Sequence, residues 1–176
     1  MSKVVVFNQI GGAEVLKIQE MQVCAPDANE VQIRVRAIGI NRAEVMYRTG
    51  QYIYQPNFPA RLGYEAAGVI ESVGDNVREF APGDYVSVIP AFSFHQYGMY
   101  GEVVNAPAHA VVKHPQNLSF TEAAASWMMY VTAFGALVEY ADIKPGDNVL
   151  INAASSSVGL AAIQIANMRG AKPIAM

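Results

Sequence analysis

The apolar residues of this chain change period at Pro115, and that change limits the possible fold more than any other feature of the sequence. Before it, hydrophobic side chains fall in short runs cut by glycine-containing turns. Val31, Ile33, Val35 and Ala37 alternate with Gln32, Arg34 and Arg36, which predicts a strand with one wet face. Residues 64–73 form a second run, bounded by Gly63 and by Gly74-Asp75-Asn76. Gly83-Asp84 separates residues 77–80 from 85–89 as a hairpin or tight turn would. Residues 102–104 and 110–113 complete the pattern of a small β-rich domain. One helix interrupts it, with Asn41 as N-cap, Glu44 at capping-box spacing and Gly50 as the stop.

After Pro115 the spacing becomes helical. Ser119 and Glu122 repeat the capping box, and the Ala-, Met- and aromatic-rich stretch to Ala141 predicts one bent helix or two short ones. Lys144-Pro145-Gly146-Asp147 reads as a turn, residues 148–152 as a short buried strand, 153–157 as a small-residue loop and 158–168 as a helix. Gly170 ends that helix and residues 172–176 open a second strand, so the order is βαβ. Two parallel strands under a single helix leave much apolar surface open, because parallel sheets need cover on both faces. The expectation is therefore a fragment, engineered or natural, that self-associates through its sheet edge and helix faces as a homo-oligomer.

Composition narrows the function classes. With 52% hydrophobic and 15% charged residues, the chain lies outside the polar mixtures that stay disordered. A net charge of −3 with scattered Lys and Arg argues against a nucleic-acid partner. No run approaches a membrane span and no secretory cleavage pattern is present, so a cytoplasmic protein is expected. The single cysteine, Cys24, cannot form an intramolecular disulfide and is expected as a buried small hydrophobe. His95, His109 and His114 lack metal-ligand spacing and are expected at the surface or in loops.

Two features point to ligand binding, each with a plainer alternative. The loop Ala153-Ala-Ser-Ser-Ser-Val-Gly159 lies between a strand and a helix, where backbone N–H groups and the helix dipole suit a pyrophosphate. Only Gly159 stands where a dinucleotide fingerprint carries several glycines, and an ordinary small-residue turn reads the same way. Tyr47, Tyr52, Tyr54 and Phe58 crowd one segment, and Phe92, Phe94, Tyr97 and Tyr100 another. They form either core packing or an apolar cleft.

Taken together, the motifs resemble the medium-chain dehydrogenase/reductase superfamily in its zinc-free quinone oxidoreductase, or zeta-crystallin-like, branch. The resemblance runs through Gly39-Ile-Asn-Arg-Ala-Glu44, Arg48-Thr-Gly-Gln-Tyr52, Leu62-Gly-Tyr-Glu-Ala-Ala-Gly-Val-Ile70, Val73-Gly74, Gly83-Asp84, Ala123-Ala-Ala125, Thr132-Ala133, Gly146-Asp147 and the 153–159 loop. It implies a mixed α and β fold: a GroES-like β-rich substrate domain over residues 1–118, then the incomplete start of a Rossmann cofactor domain over 119–176.

The departures from that pattern also matter. The positions that hold catalytic zinc in related alcohol dehydrogenases look like Asn41, Tyr64 and Met128 here, and this set implies no metal. Glu65 stands where the family carries an acidic residue beside the lost ligand. The resemblance implies hydride delivery from a nicotinamide dinucleotide, NADPH ranked ahead of NADH, to a small quinone, enone or similar activated carbonyl. Asn41 would sit by the nicotinamide and the substrate carbonyl, and Tyr52 would be a donor lining the cleft. Tyr47 and Tyr64 are further cleft candidates. Thr132 would meet the nicotinamide end of the cofactor, and Ser155, Ser156, Ser157 and Val158 its pyrophosphate. The isolated chain is expected to be a poor enzyme. The rival reading is a catalytically inactive interaction or cofactor-sensing module.

Overall fold

The computed structural model describes residues 1–176 and divides into two compact units, Met1–Ala125 and Ser126–Met176. The first unit is built on two antiparallel sheets. Strands β1 (Ser2–Phe7), β2 (Lys17–Met21) and β4 (Ala60–Arg61) form one, in the order β2-β1-β4. Strands β3 (Glu30–Ile38), β5 (Ala66–Val73), β6 (Tyr85–Val88), β7 (Val103–Pro107) and β8 (Val111–Lys113) form the other, in the order β7-β3-β5-β6-β8.

The alternation in β3 does what its period requires: Val31 and Ile33 are fully buried while Arg34 and Arg36 are exposed. They join Ala66, Ile70, Val86, Val88, Met99 and Val104 in one core. Residues 77–80 are not a strand. The Asp75-Asn76 turn and Pro82 hold them off the sheet, and the hairpin partner of β6 is β5, with Ala67 opposite Ser87. Val77 still reaches the core from that loop.

Helix α1 (Arg42–Arg48) follows β3 and begins with the expected capping box of Asn41 and Glu44. Gly50, at φ +71°, ends it, a left-handed position that glycine adopts without a Cβ penalty. Helix α2 (Phe120–Ala124), capped by Ser119 and Glu122, packs Ala123 and Ala124 on Ala67 of the sheet. The first compact unit thus extends past residue 118 to take in α2.

One expectation about a single side chain fails. Cys24 is exposed: its carbonyl, which accepts from the Gln32 and Asn105 side-chain amides, ties the segment to the sheet and leaves the thiol outside. His114 lies in the loop after β8, as expected, though buried there with its ring edge-on to Phe120 and tilted against Tyr85. His95 and His109 are exposed as expected.

In the second unit, α3 (Trp127–Phe134) continues into a π-helical turn, Gly135–Tyr140. The expected helical stretch from residue 119 is thus two short α-helices and a widened turn. Strands β9 (Asn148–Ile151) and β10 (Lys172–Ala175) pair in parallel around α4 (Ser157–Met168), the expected βαβ order. Ala133, Ile151, Ala154, Ala161 and Ile165 form its small core, while Leu150, Leu160, Met168 and Ile174 are exposed. No helix is long and apolar enough to cross a membrane.

Candidate active site

Asn41, Tyr47, Tyr52 and Tyr64, all singled out from sequence, lie in the first unit, where one buried carboxylate joins Asn41 to Tyr64. Glu44, on the first turn of α1, accepts the Asn41 N–H at Oε2 (2.6 Å) and the Tyr64 N–H at Oε1 (3.2 Å). One carboxyl group therefore joins the start of the helix to the segment before β5. Only 4% of Glu44 is exposed, and burial pushes its pKa from 4.5 to about 7 against the lowering effect of those backbone donors. The neighbouring Glu65 charge adds a smaller upward push.

Glu65 is 2% exposed and accepts from Asn41 Nδ2 at 2.9 Å. The Asn41 amide is thereby oriented, and its nitrogen retains a second hydrogen for another acceptor. Gly39 makes room for this arrangement. A Cβ there would run into the Glu65 carboxylate and lie 2.5 Å from the Ala124 carbonyl oxygen. Gly63 is the other glycine the site requires, with φ +105° and no space for a Cβ beside Tyr100. Burial, with the Glu44 and Glu65 charges, pushes the Tyr100 hydroxyl pKa up, and that hydroxyl donates to the Gly39 carbonyl at 3.2 Å.

The aromatic residues from the two crowded segments stack into one wall. Tyr47 lies nearly parallel to Phe94 with ring centroids 4.6 Å apart, and Tyr64 lies against the same ring at 3.8 Å. Tyr52 and Tyr54 meet edge to face at 5.1 Å, and both rings face Tyr47. Tyr47, Tyr64 and Phe94 are buried, whereas Tyr52 and Tyr54 are half-buried. The wall is thus core packing on one side and a set of phenol hydroxyls on the other. Tyr64 Oη lies 3.1 Å from Tyr52 Oη and 2.9 Å from Tyr54 Oη. Burial and these two contacts push the Tyr64 pKa far up, so it stays a neutral hydroxyl.

The other candidates lie in the second unit. Thr132 is exposed on α3 and donates its hydroxyl hydrogen to the Met128 carbonyl (2.6 Å), so toward a ligand it can only accept. Ser155, Ser156 and Ser157 are exposed and Val158 is half-buried. Ser156 caps α4 by accepting the Gly159 N–H at 3.1 Å, and Ala153 turns the chain at φ +51°. The first helical N–H groups, on Ser157 and Val158, have no carbonyl of their own helix to reach. Gly159 is needed for packing: a Cβ there would stand 2.6 Å from the Ala153 carbonyl oxygen.

Sequence reading missed Glu44 as more than a cap; Tyr54 and Phe94 are among its crowded aromatics, read as core packing or cleft, but not among its individual site residues. The capping signal of Glu44 is local, whereas its second partner, Tyr64, lies twenty residues on. The crowding of aromatics at 47–58 and 92–100 was the signal for the wall.

Comparison with known proteins defines the class. Residues 27–116 match the alcohol dehydrogenase GroES-like domain. The chain belongs to that family and, through it, to the medium-chain dehydrogenase/reductase superfamily. Human quinone oxidoreductase is 42% identical over 165 residues, which is 93% of this chain and 49% of that protein. Among solved structures, the CurK enoyl reductase superposes with a TM-score of 0.89 at 32% identity, covering 99% of this chain and 53% of that one. Escherichia coli quinone oxidoreductase complexed with NADPH superposes with a TM-score of 0.86 at 36% identity, covering 98% and 52%. The chain spans about half the length of the relatives it matches.

Proposed function

We propose that this chain supplies the substrate-binding domain and first cofactor-binding elements of an NADPH-dependent, zinc-independent reductase of quinones or enones. The observation that carries this reading is the Asn41 amide, fixed by Glu65 at 2.9 Å and joined through Glu44 to a cluster of three phenol hydroxyls. Such a site presents hydrogen-bond donors beside an apolar aromatic wall, which suits a flat carbonyl compound.

When bound, a reduced nicotinamide supplies the hydride. The residues of this chain supply position and polarity. Asn41 offers its second amide hydrogen, and Tyr52 offers a hydroxyl to the carbonyl oxygen that gains electron density and takes up a proton. Tyr47 and Tyr64, 1% and 6% exposed, support Tyr52 from behind instead of lining the cleft themselves. In the second unit, the Ser157 and Val158 N–H groups and the exposed Ser155 and Ser156 fit a pyrophosphate at the α4 N-terminus. Thr132 fits an acceptor role toward an amide N–H of the cofactor. At the positions where zinc relatives hold the metal, the Asn41 amide and Tyr64 phenol offer neither thiolate nor imidazole and are already engaged by protein groups.

Oxidation of NADPH in the presence of 9,10-phenanthrenequinone, followed for the 176-residue chain and for any longer product of the same reading frame, tests the proposal. Turnover by the longer product that falls at least tenfold in Asn41→Ala and in Tyr52→Phe is the expected result. Cofactor binding without turnover on any quinone or enone would instead favour an inactive cofactor-sensing module.

A further inference from the structure

We propose that Tyr54, Tyr64 and Tyr52 form a directional hydroxyl relay, running from the Phe94 N–H to Tyr52, which makes Tyr54 and Tyr64 positioning residues for the Tyr52 donor. This rests on the reading of Tyr52 as the group that faces the substrate carbonyl.

Counting hydrogens limits the possible orders, and mutual polarisation selects among them; Tyr52 and Tyr54 both donating to Tyr64 would leave the hydrogen of the most buried hydroxyl unused. The Phe94 N–H can only donate, and it donates to Tyr54 Oη at 3.1 Å. Tyr54 has one hydroxyl hydrogen, and Tyr64 Oη lies 2.9 Å away. Tyr64 also has one, and Tyr52 Oη lies 3.1 Å away. Running the donors from Phe94 through Tyr54 and Tyr64 to Tyr52 lets each tyrosine oxygen accept one bond, so each hydroxyl is polarised by the one before it. Running them the other way makes Tyr54 Oη accept twice while Tyr52 Oη accepts nothing, which forfeits that mutual strengthening. The first order also leaves the last unused hydrogen on half-buried Tyr52.

The rest of the site keeps this chain in place. Tyr64 is 6% exposed, and its ring is held against Phe94, whose own N–H starts the relay. Tyr54 is fixed on its outer side by the His95 ring, with centroids 4.6 Å apart, and His95 Nε2 lies 2.7 Å from the Gln55 carbonyl oxygen. The Tyr64 main chain is tied by Glu44 to the residue that carries the Asn41 amide. Tyr52 therefore acts as a donor already polarised by two hydroxyls and an amide.

The test has one arm without ligand and one with it. In the first, the 176-residue chain is labelled with 13Cζ-tyrosine, and Tyr54→Phe and Tyr64→Phe are compared with the parent. The relay predicts that Tyr64→Phe moves the Tyr52 Cζ resonance downfield, because Tyr52 loses a donor to its oxygen. Tyr54→Phe, two links away, should move it the same way by less. Because Tyr54 is half-buried and phenylalanine keeps its shape, this variant preserves the test should Tyr64→Phe not fold. An unmoved or upfield Tyr52 resonance in Tyr54→Phe overturns the relay.

In the second arm, the infrared carbonyl band of cyclohex-2-enone is read in the bound state. Tyr52→Phe should abolish the Tyr52-dependent red shift, and Tyr54→Phe should reduce it by roughly 10–30%, the strengthening expected per bond in a polarised chain. A red shift that Tyr54→Phe leaves intact counts against the relay. A band that ignores Tyr52→Phe while the first arm holds removes the substrate role of Tyr52 and leaves the relay standing.

Discussion

The side-chain nitrogen of Asn41 lies 2.9 Å from a carboxylate oxygen of Glu65, and this pair fixes the orientation of the amide. Both residues carry other duties, Asn41 as the cap of α1 and Glu65 as a buried group over Gly39. Asn41→Asp places a carboxylate against a carboxylate. It is expected to destabilise the fold at pH 7, with the gap to the parent narrowing as pH falls toward 4 and one group takes a proton. Urea midpoints at a series of pH values measure this. A gap that does not change with pH would contradict the pairing.

Glu44 should make stability fall with rising pH. Its pKa is raised from 4.5 to about 7, so the folded state holds the proton more tightly than the unfolded chain. Below about pH 4.5 both states are protonated and the group costs nothing. Between 4.5 and 7 the unfolded state ionises first, and folded stability declines by about 3 kcal/mol before levelling. Glu44→Gln removes that slope. Chemical denaturation of parent and variant at pH 5 and pH 8 checks the sign.

Gly63→Ala should be among the more damaging single-methyl additions. The residue holds φ +105°, and the new Cβ would meet the Tyr100 ring 2.5 Å away. The backbone strain alone costs roughly 1–3 kcal/mol, to which the clash adds. A thermal melt within a degree of the parent would show that the turn before Tyr64 can relax.

In the second unit, Ser156→Ala removes the cap on α4 and should cost about 0.5–2 kcal/mol. Gly159→Ala should cost more, because its Cβ meets main chain at Ala153 and Ala154 and no side chain can swing aside. Hydrogen exchange at the α4 amides separates the two. Ser156→Ala should fray the first turn, whereas Gly159→Ala should loosen the packing of the helix on β9.

What could be read from the sequence was what local spacing encodes. The period of β3, the capping boxes at Asn41 and Ser119, the glycine stop at Gly50 and the βαβ order after residue 147 all depend on neighbours within a few positions. Residues 77–80 misled because an apolar run predicts burial as well as pairing, and Val77 is buried without pairing. Cys24 misled because hydrophobic character says nothing about a segment held by its carbonyl. The Asn41 and Tyr52 candidates came from motif resemblance. The carboxylate that joins Asn41 to Tyr64 and the meeting of Tyr54 with Phe94 depend on residues twenty to forty positions apart, beyond the reach of any local pattern.

The most direct test of the proposed site is a titration of the 15N- and 13Cζ-tyrosine-labelled chain with cyclohex-2-enone, followed at the Asn41 side-chain amide and the Tyr52 ring carbon. Concerted, saturable shifts at these two positions, lost in Asn41→Ala and Tyr52→Phe, are predicted. Shifts confined to other surfaces, with Asn41 and Tyr52 silent, would contradict the assignment of this site to carbonyl binding.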